Sequence, residues 1–194
     1  MDREHENKPI KNQIWTIPNL LSLFRLCLIP VIAWLYCVRG NYPLTVLMLL
    51  ISGISDIADG IIARRFHMVS DFGKVLDPVA DKLTQGVVLL CLLTRFRWMA
   101  VPLGAMVVKE AFMGLSGLAV VRKTGVVLGA EWHGKVATVL LYLMMSLHIL
   151  WYDIPPLVSN LTIAFCTLMV LLSWLLYGLR NFRALRQGGS WDEG

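Results

Sequence analysis

The chain has 194 residues, of which 57% are hydrophobic and only 16% are charged, whereas soluble domains carry about 25% charged residues. This composition excludes an ordinary soluble domain, because the apolar residues form long blocks that leave no polar helix face. The net charge of +5 comes from lysines and arginines spread over several short loops. That spread argues against nucleic-acid binding, which uses one basic stripe.

Six long apolar segments predict an all-α integral membrane protein. The predicted membrane helices are residues 18–38, 43–65, 74–95, 98–121, 134–152 and 156–178. A helix needs about 20 apolar residues to cross a bilayer, and residues 154–179 contain no charged side chain. The first segment is too long for a signal peptide and has no obvious cleavage site, so we expect it to remain as the first span.

The charge distribution predicts the orientation of these spans. With six spans, both termini lie on one side of the membrane, and that side carries twelve lysines and arginines against three on the other. The positive-inside rule therefore places both termini in the cytoplasm. A bacterial cell membrane is the expected location.

Two flanking segments enclose the predicted membrane domain of residues 18–178. Residues 1–17 place Ile10, Ile14 and Trp15 among lysines, which predicts a short amphipathic juxtamembrane helix on the membrane surface. Residues 179–194 form a basic tail whose arginines would rest against anionic headgroups. An ordinary basic flank is the alternative in both places.

Four aspartates lie where the second predicted span ends and the third begins. A carboxylate near the centre of a membrane helix costs about 2.5–3.5 kcal/mol, so four of them call for an explanation. Asp56 and Asp59 are three residues apart, and Asp77 and Asp81 are four apart, which places each pair on one helix face. A short connection should make the two helices antiparallel neighbours and bring the carboxylates into one cluster.

Such a cluster needs cations to offset its charge. Oxygen ligands of like charge favour hard divalent ions such as Mg²⁺ or Mn²⁺. Two ions would balance four carboxylates, and paired metals serve phosphoryl chemistry. Helix caps with surface ion pairs, and the cation pathway of a membrane transporter, are the alternatives that spacing leaves open.

The residues around the aspartates form a recognisable pattern. The chain reads Asp56-Ile-Ala-Asp59-Gly60-Ile-Ile-Ala63-Arg64, then after eight residues Gly73, after three more Asp77, and after three more Asp81. This resembles the CDP-alcohol phosphatidyltransferase motif D-x2-D-G-x2-A-R-x8-G-x3-D-x3-D at all eight fixed positions. The resemblance makes a transporter a remote alternative.

The resemblance implies a role for each matching residue. Asp56, Asp59 and Asp77 would be the main metal ligands, and Asp81 would lie near a second metal and act as the general base. Nucleotide and diphosphate binding is implied for Asp59, Gly60, Ala63, Arg64 and Gly73. Small residues allow close approach of a ligand, and arginine offers a planar fork to phosphate oxygens.

The implied reaction is transfer of a phosphatidyl group from CDP-diacylglycerol to an alcohol, with release of CMP. The stretch from Ile17 to Arg25 and the sequence Leu76-Asp77-Pro78-Val79-Ala80-Asp81-Lys82 resemble the phosphatidylglycerophosphate synthase and cardiolipin synthase branch. Asn19 and Arg25 thereby become candidate site residues, against the alternative that they cap a helix and snorkel to the interface. The resemblance also implies a homodimer.

The acceptor depends on weaker signals. Glycerol 3-phosphate is anionic and requires cations, for which the candidates are Lys109, Arg122, Lys123 and Lys135. Glycerophosphate enzymes usually have Gly-Lys-x-Lys-Thr, whereas this chain has Gly134-Lys135-Val-Ala-Thr138 and lacks the second lysine. Lys109 is followed by Glu110, and these two side chains could simply pair. We predict glycerol 3-phosphate as the acceptor, with phosphatidylglycerol, the acceptor of a cardiolipin synthase, as the alternative.

Overall fold

A computed structural model describes residues 16–65, 71–124 and 131–187, and within these ranges the chain is helical and has no strand. Six long helices follow one another: α1 (Ile17–Trp34), α2 (Tyr42–Arg65), α3 (Asp71–Leu93), α4 (Ala100–Thr124), α5 (Trp132–Leu150) and α6 (Pro156–Gln187). A π-helical turn, Leu35–Arg39, extends α1, and a 3-10 turn, Arg97–Met99, precedes α4. The chain forms two compact units, which meet in the sequence between Cys91 and Leu92.

The all-helical class is confirmed, and the membrane assignment is supported by five helices. In the described ranges, α1, α2, α4, α5 and α6 are long and apolar enough to cross a membrane. Helix α3 is not in this group, because Asp77, Asp81 and Lys82 lie in its first half. A sixth span therefore remains a prediction, and the predicted juxtamembrane helix falls outside the described residues.

In the first unit, α1 and α2 form a hairpin with well-defined ends. The Thr16 hydroxyl accepts a hydrogen bond from the Asn19 N–H at 3.4 Å, which caps the start of α1. Gly40, with φ of 61°, ends the π-helical turn in the left-handed conformation that glycine adopts readily. The Asn41 side chain then accepts from the Leu44 N–H at 3.1 Å at the start of α2.

The hairpin brings the beginning of α1 beside the later part of α2. Leu28 and Ile32 on α1 and Leu49 on α2 are buried in the core of this unit. Arg25 and Asp56 lie at nearly equal sequence distances from Gly40, so an antiparallel hairpin brings them opposite one another. The polar residues of α1 are thereby placed against the aspartates of α2.

In the second unit, α6 packs against both α4 and α5. The connection between α5 and α6 is fixed by His148, whose Nδ1 lies 2.8 Å from the Met144 carbonyl and whose Nε2 lies 3.0 Å from the Ser159 hydroxyl. Helix α6 has 32 residues and is therefore about 48 Å long. It continues through Arg180, Arg183 and Arg186, so the basic tail is helical as far as Gln187.

Candidate active site

Two buried polar residues on α1 contact the aspartates of the first unit. Ser22 and Arg25 are three positions apart, and both are fully buried. The Ser22 hydroxyl donates to Asp77 Oδ1 on α3 and lies 3.0 Å from the Pro18 carbonyl on its own helix. One turn of α1 therefore carries a hydroxyl and a guanidinium that reach carboxylates on two other helices.

The Arg25 guanidinium lies between the two aspartates of α2. Its Nη1 donates to Asp56 Oδ1 and its Nη2 donates to Asp59 Oδ2. The Asp59 side chain is 3% exposed, whereas that of Asp56 is 43% exposed. The two carboxylates therefore converge on one cation, with Asp59 at the buried side and Asp56 at the open side.

The third helix presents Asp81 with a partner of its own. The Gln85 side-chain amide lies 3.1 and 3.0 Å from the two carboxylate oxygens of Asp81, one helical turn away. Gln85 is 1% exposed, so this amide is fixed in the protein interior. Lys82 Nζ lies 3.7 Å from Asp81 Oδ2.

Ser22 and Gln85 are contacts that sequence reasoning missed. Gln85 could have been noticed as a polar residue four positions after Asp81, on the same face of a helix that is otherwise apolar from Val87 onward. Ser22 lies three residues before Arg25, but no spacing rule connects it to Asp77, which is 55 positions away.

These carboxylates suit a divalent ion in their donor chemistry. Asp56 and Asp59 already direct oxygen atoms at one guanidinium, and hard oxygen donors are the ligands that Mg²⁺ prefers. Within residues 16–65, 71–124 and 131–187, however, no group of three or more His, Cys, Asp or Glu side chains lies close enough to hold a metal ion. The joint metal-binding role of the four aspartates therefore stays a prediction.

The remaining predicted donor-site residues lie on the same helices. Asn19 is buried in the first turn of α1, and Gly73 is buried in the first turn of α3. Gly60 follows Asp59 directly on α2 and is half-buried. Ala63 and Arg64 belong to the last turn of α2, and their side chains lie outside the described part of the structure.

Lys109 and Lys135, two of the predicted acceptor-binding residues, belong to the second unit. Lys109 on α4 is buried, and its Nζ lies 3.3 Å from Glu110 Oε1. The pairing considered for these two residues is therefore present. Lys135, in the first turn of α5, is exposed.

A polar cluster joins the start of α5 to α6 beside Lys135. The Glu131 N–H donates to the Tyr177 hydroxyl at 2.8 Å, and Arg180 Nη1 donates to Glu131 Oε1 at 2.8 Å. His133 Nδ1 lies 3.2 Å from the Ser173 hydroxyl, and its ring packs against that of Tyr177. These contacts fix the backbone that carries Lys135.

Comparison with known proteins agrees with the pattern of aspartates. The profile of the family described as CDP-alcohol phosphatidyltransferase matches residues 15–178. The chain is 31% identical over 130 residues to a CDP-diacylglycerol--glycerol-3-phosphate 3-phosphatidyltransferase of Salmonella choleraesuis, covering 64% of this chain and 71% of that protein. The chain belongs to the CDP-alcohol phosphatidyltransferase family, whose members generally depend on divalent metal ions.

Two further relatives carry the two names that the sequence suggested, one name each. A CDP-diacylglycerol--glycerol-3-phosphate 3-phosphatidyltransferase of Rickettsia typhi is 40% identical over 81 residues, which are 41% of this chain and 46% of that protein. A cardiolipin synthase (CMP-forming) of Streptomyces coelicolor is 38% identical over 84 residues, which are 40% of this chain and 39% of that protein. The chain thus spans less than half the length of these two relatives.

Proposed function

We propose that this protein transfers the phosphatidyl group of CDP-diacylglycerol to an alcohol and releases CMP. The observation that carries the proposal is the convergence of Asp56 and Asp59 on one cationic group, within the complete eight-position pattern of the family. Family membership supports the donor, since the matched range of residues 15–178 contains the whole pattern.

In the proposed reaction, Asp81 accepts the proton of the acceptor hydroxyl as a general base. The alcohol oxygen attacks the phosphorus on the lipid side of the diphosphate. The bond from that phosphorus to the CMP oxygen then breaks, and Arg64 offsets the charge of the departing CMP. Gly60, Ala63 and Gly73 leave room for the cytidine nucleotide beside the helix backbones.

We also propose that the site takes Mg²⁺ or Mn²⁺, as two ions. Asp56, Asp59, Asp77 and Asp81 would hold them, and the ions would supply polarisation of the diphosphate and neutralisation of its charge. The chemistry of the four carboxylates and the metal dependence of the family support this assignment.

Glycerol 3-phosphate is the acceptor we propose, giving phosphatidylglycerophosphate. The exposed position of Lys135 and the names of the Salmonella and Rickettsia relatives support it. Phosphatidylglycerol, used by a cardiolipin synthase, is the second candidate, because Lys109 is paired with Glu110 and the second lysine of the usual motif is absent. A cation-coupled transporter is disfavoured by membership of a transferase family.

The proposed setting is a bacterial cell membrane, with α3 as a sixth span. Both termini and the active site would face the cytoplasm, because CMP is water-soluble whereas the lipid tails stay in the bilayer. Residues 1–17 would lie on the membrane surface, residues 179–194 would form the basic tail, and the protein would act as a homodimer. The distribution of lysines and arginines supports this orientation.

One assay tests both the chemistry and the acceptor. The purified protein is supplied with CDP-diacylglycerol, Mn²⁺ or Mg²⁺, and separately glycerol 3-phosphate, phosphatidylglycerol, serine or inositol phosphate, and the lipid product is identified. We expect CMP and phosphatidylglycerophosphate, and no reaction in EDTA. A product with phosphatidylglycerol alone would overturn the acceptor, and full turnover by Asp77→Asn would overturn the mechanism.

A further inference from the structure

Arg25 is an unusual residue for the interior of an apolar helix. Its side chain is 0% exposed, and its two terminal nitrogens each bind a different aspartate of α2. No hydrogen-bond partner of Arg25 Nε lies among the described residues. The guanidinium therefore depends on Asp56 and Asp59 for its main polar contacts.

The same contacts are equally important for the carboxylates. Asp59 is 3% exposed, and an isolated buried carboxylate is strongly disfavoured because it has lost its hydration. Two neighbouring carboxylates also repel one another, and Arg25 contributes the positive charge that offsets part of this repulsion. The guanidinium lies between Asp56 Oδ1 and Asp59 Oδ2, where a cation that bridged these two oxygens would also have to lie.

We propose that Arg25 is an internal counter-ion, which neutralises the Asp56–Asp59 pair when no divalent ion is bound and competes with a divalent ion for these carboxylates. Metal binding would then require the guanidinium to release at least one carboxylate. Arg25 is thus a positioning residue, which acts through the carboxylates of Asp56 and Asp59, in addition to any contact with a substrate. The inference rests on the proposed metal site.

The first test measures Mn²⁺ binding to the purified full chain in detergent, by electron paramagnetic resonance and without lipid substrate. Arg25→Met removes the competing charge and retains a long side chain, so we expect Mn²⁺ to bind about tenfold more tightly, as is typical of coupled sites. Arg25→Lys retains the charge but loses the fork that holds both carboxylates, so its affinity for Mn²⁺ should lie between those of the wild type and Arg25→Met.

Arg39→Met is the matched control for losing one arginine. Arg39 is exposed at the end of the π-helical turn, and its guanidinium lies 4.7 Å from the centre of the Trp34 ring. This variant should bind Mn²⁺ as the wild type does. If both Arg→Met variants bound Mn²⁺ more tightly than the wild type, the change in net charge alone would explain the effect, and the inference would be overturned.

The second test measures thermal unfolding with EDTA and with Mn²⁺. In EDTA, Arg25→Met should unfold at a lower temperature than the wild type, because Asp56 and Asp59 have lost their counter-ion. Mn²⁺ should raise its midpoint by more than it raises that of the wild type. The double variant Arg25→Met/Asp59→Asn should recover much of the metal-free midpoint, because one of the two repelling charges has been removed.

The possible failures are distinguishable. If the wild type binds Mn²⁺ and Arg25→Met binds it no more tightly, the counter-ion inference is wrong while the proposed function stands. If no protein binds Mn²⁺, the proposed metal site and the inference both fail. If Arg25→Met does not fold in EDTA, the double variant decides: folding supports the inference, and misfolding shows that Arg25 acts through packing and overturns it.

Discussion

Arg25 and Asp59 form an ion pair in which neither partner faces solvent, with 0% and 3% of the two side chains exposed. Removing one partner of a buried ion pair costs about 3–5 kcal/mol, since the other charge remains buried without compensation. The pair ties the beginning of α1 to the later part of α2. Breaking this ion pair should therefore destabilise the fold of the first unit and impair the proposed chemistry.

Asp59→Asn should reduce CMP release from CDP-diacylglycerol by at least about a hundredfold, the effect expected when a major electrostatic group of an active site is lost. The substitution keeps the shape of the side chain but removes the charge that holds Arg25 and would hold metal. Initial rates at saturating Mn²⁺ measure the effect. Asp153→Asn, in the exposed turn between α5 and α6, is the control and should retain the wild-type rate.

Gln85→Leu should lower kcat about tenfold, with little change in the KM for CDP-diacylglycerol. Gln85 donates its amide to both oxygens of Asp81, so its loss removes two hydrogen bonds that orient this carboxylate, and small misplacements of catalytic groups are costly. Gln85→Glu should be slower still, because a second negative charge would face Asp81 one turn away. Steady-state kinetics on both substrates separate the two constants.

Thr84→Val is the matched control for this prediction. Thr84 is the neighbouring buried polar residue, and its hydroxyl donates back to the Ala80 carbonyl of its own helix at 2.8 Å. Its replacement removes a buried hydroxyl without touching Asp81, and kcat should stay within about twofold. Equal losses in Thr84→Val and Gln85→Leu would show that the interior of α3 is simply intolerant of change, and would refute the positioning role.

The part of the site that sequence could predict is the part that local spacing determines. The intervals of three and four residues place Asp56 with Asp59, and Asp77 with Asp81, on common helix faces. Spacing within a helix does not determine which faces meet, and Ser22 contacts Asp77 across 55 positions. That contact depends on how α1 packs, which periodicity does not encode.

The third helix shows a second limit of sequence reasoning. Helix α3 has the predicted length, but its charged first half keeps it out of the group defined by length and hydropathy. A membrane span that carries the aspartates of a functional site and a charged helix that lies on the membrane surface have the same composition. The contact of Asp77 with Ser22 on α1 favours the first case, and it is a tertiary contact that the composition of α3 does not reveal.

His148→Phe should lower the free energy of unfolding by about 1–3 kcal/mol, because the Ser159 hydroxyl and the Met144 carbonyl would each lose a buried hydrogen-bond partner. His148 is 0% exposed and joins α5 to the start of α6. Thermal unfolding in detergent measures the change. Ser159→Ala should cost less, since His148 keeps its bond to Met144, and a double variant no worse than His148→Phe alone would confirm that the two residues act as one contact.

Gly134→Ala should destabilise the packing of α5 on α6 by about 1–3 kcal/mol, the usual cost of overpacking. A Cβ at Gly134 would lie 2.5 Å from the Tyr177 hydroxyl oxygen and 2.9 Å from a ring carbon. Tyr177 must therefore shift, and the hydrogen bond that its hydroxyl accepts from the Glu131 N–H at 2.8 Å would weaken.

In a Tyr177→Phe background the Gly134→Ala substitution should cost less, because the hydroxyl oxygen nearest to the new carbon is gone. Gly117→Ala, where no described residue outside the adjoining helix backbone comes within 4 Å of the new carbon, should be neutral or stabilise by up to about 1 kcal/mol through helix propensity. Equal unfolding midpoints for Gly134→Ala and Gly117→Ala would show that Tyr177 does not press on this helix turn.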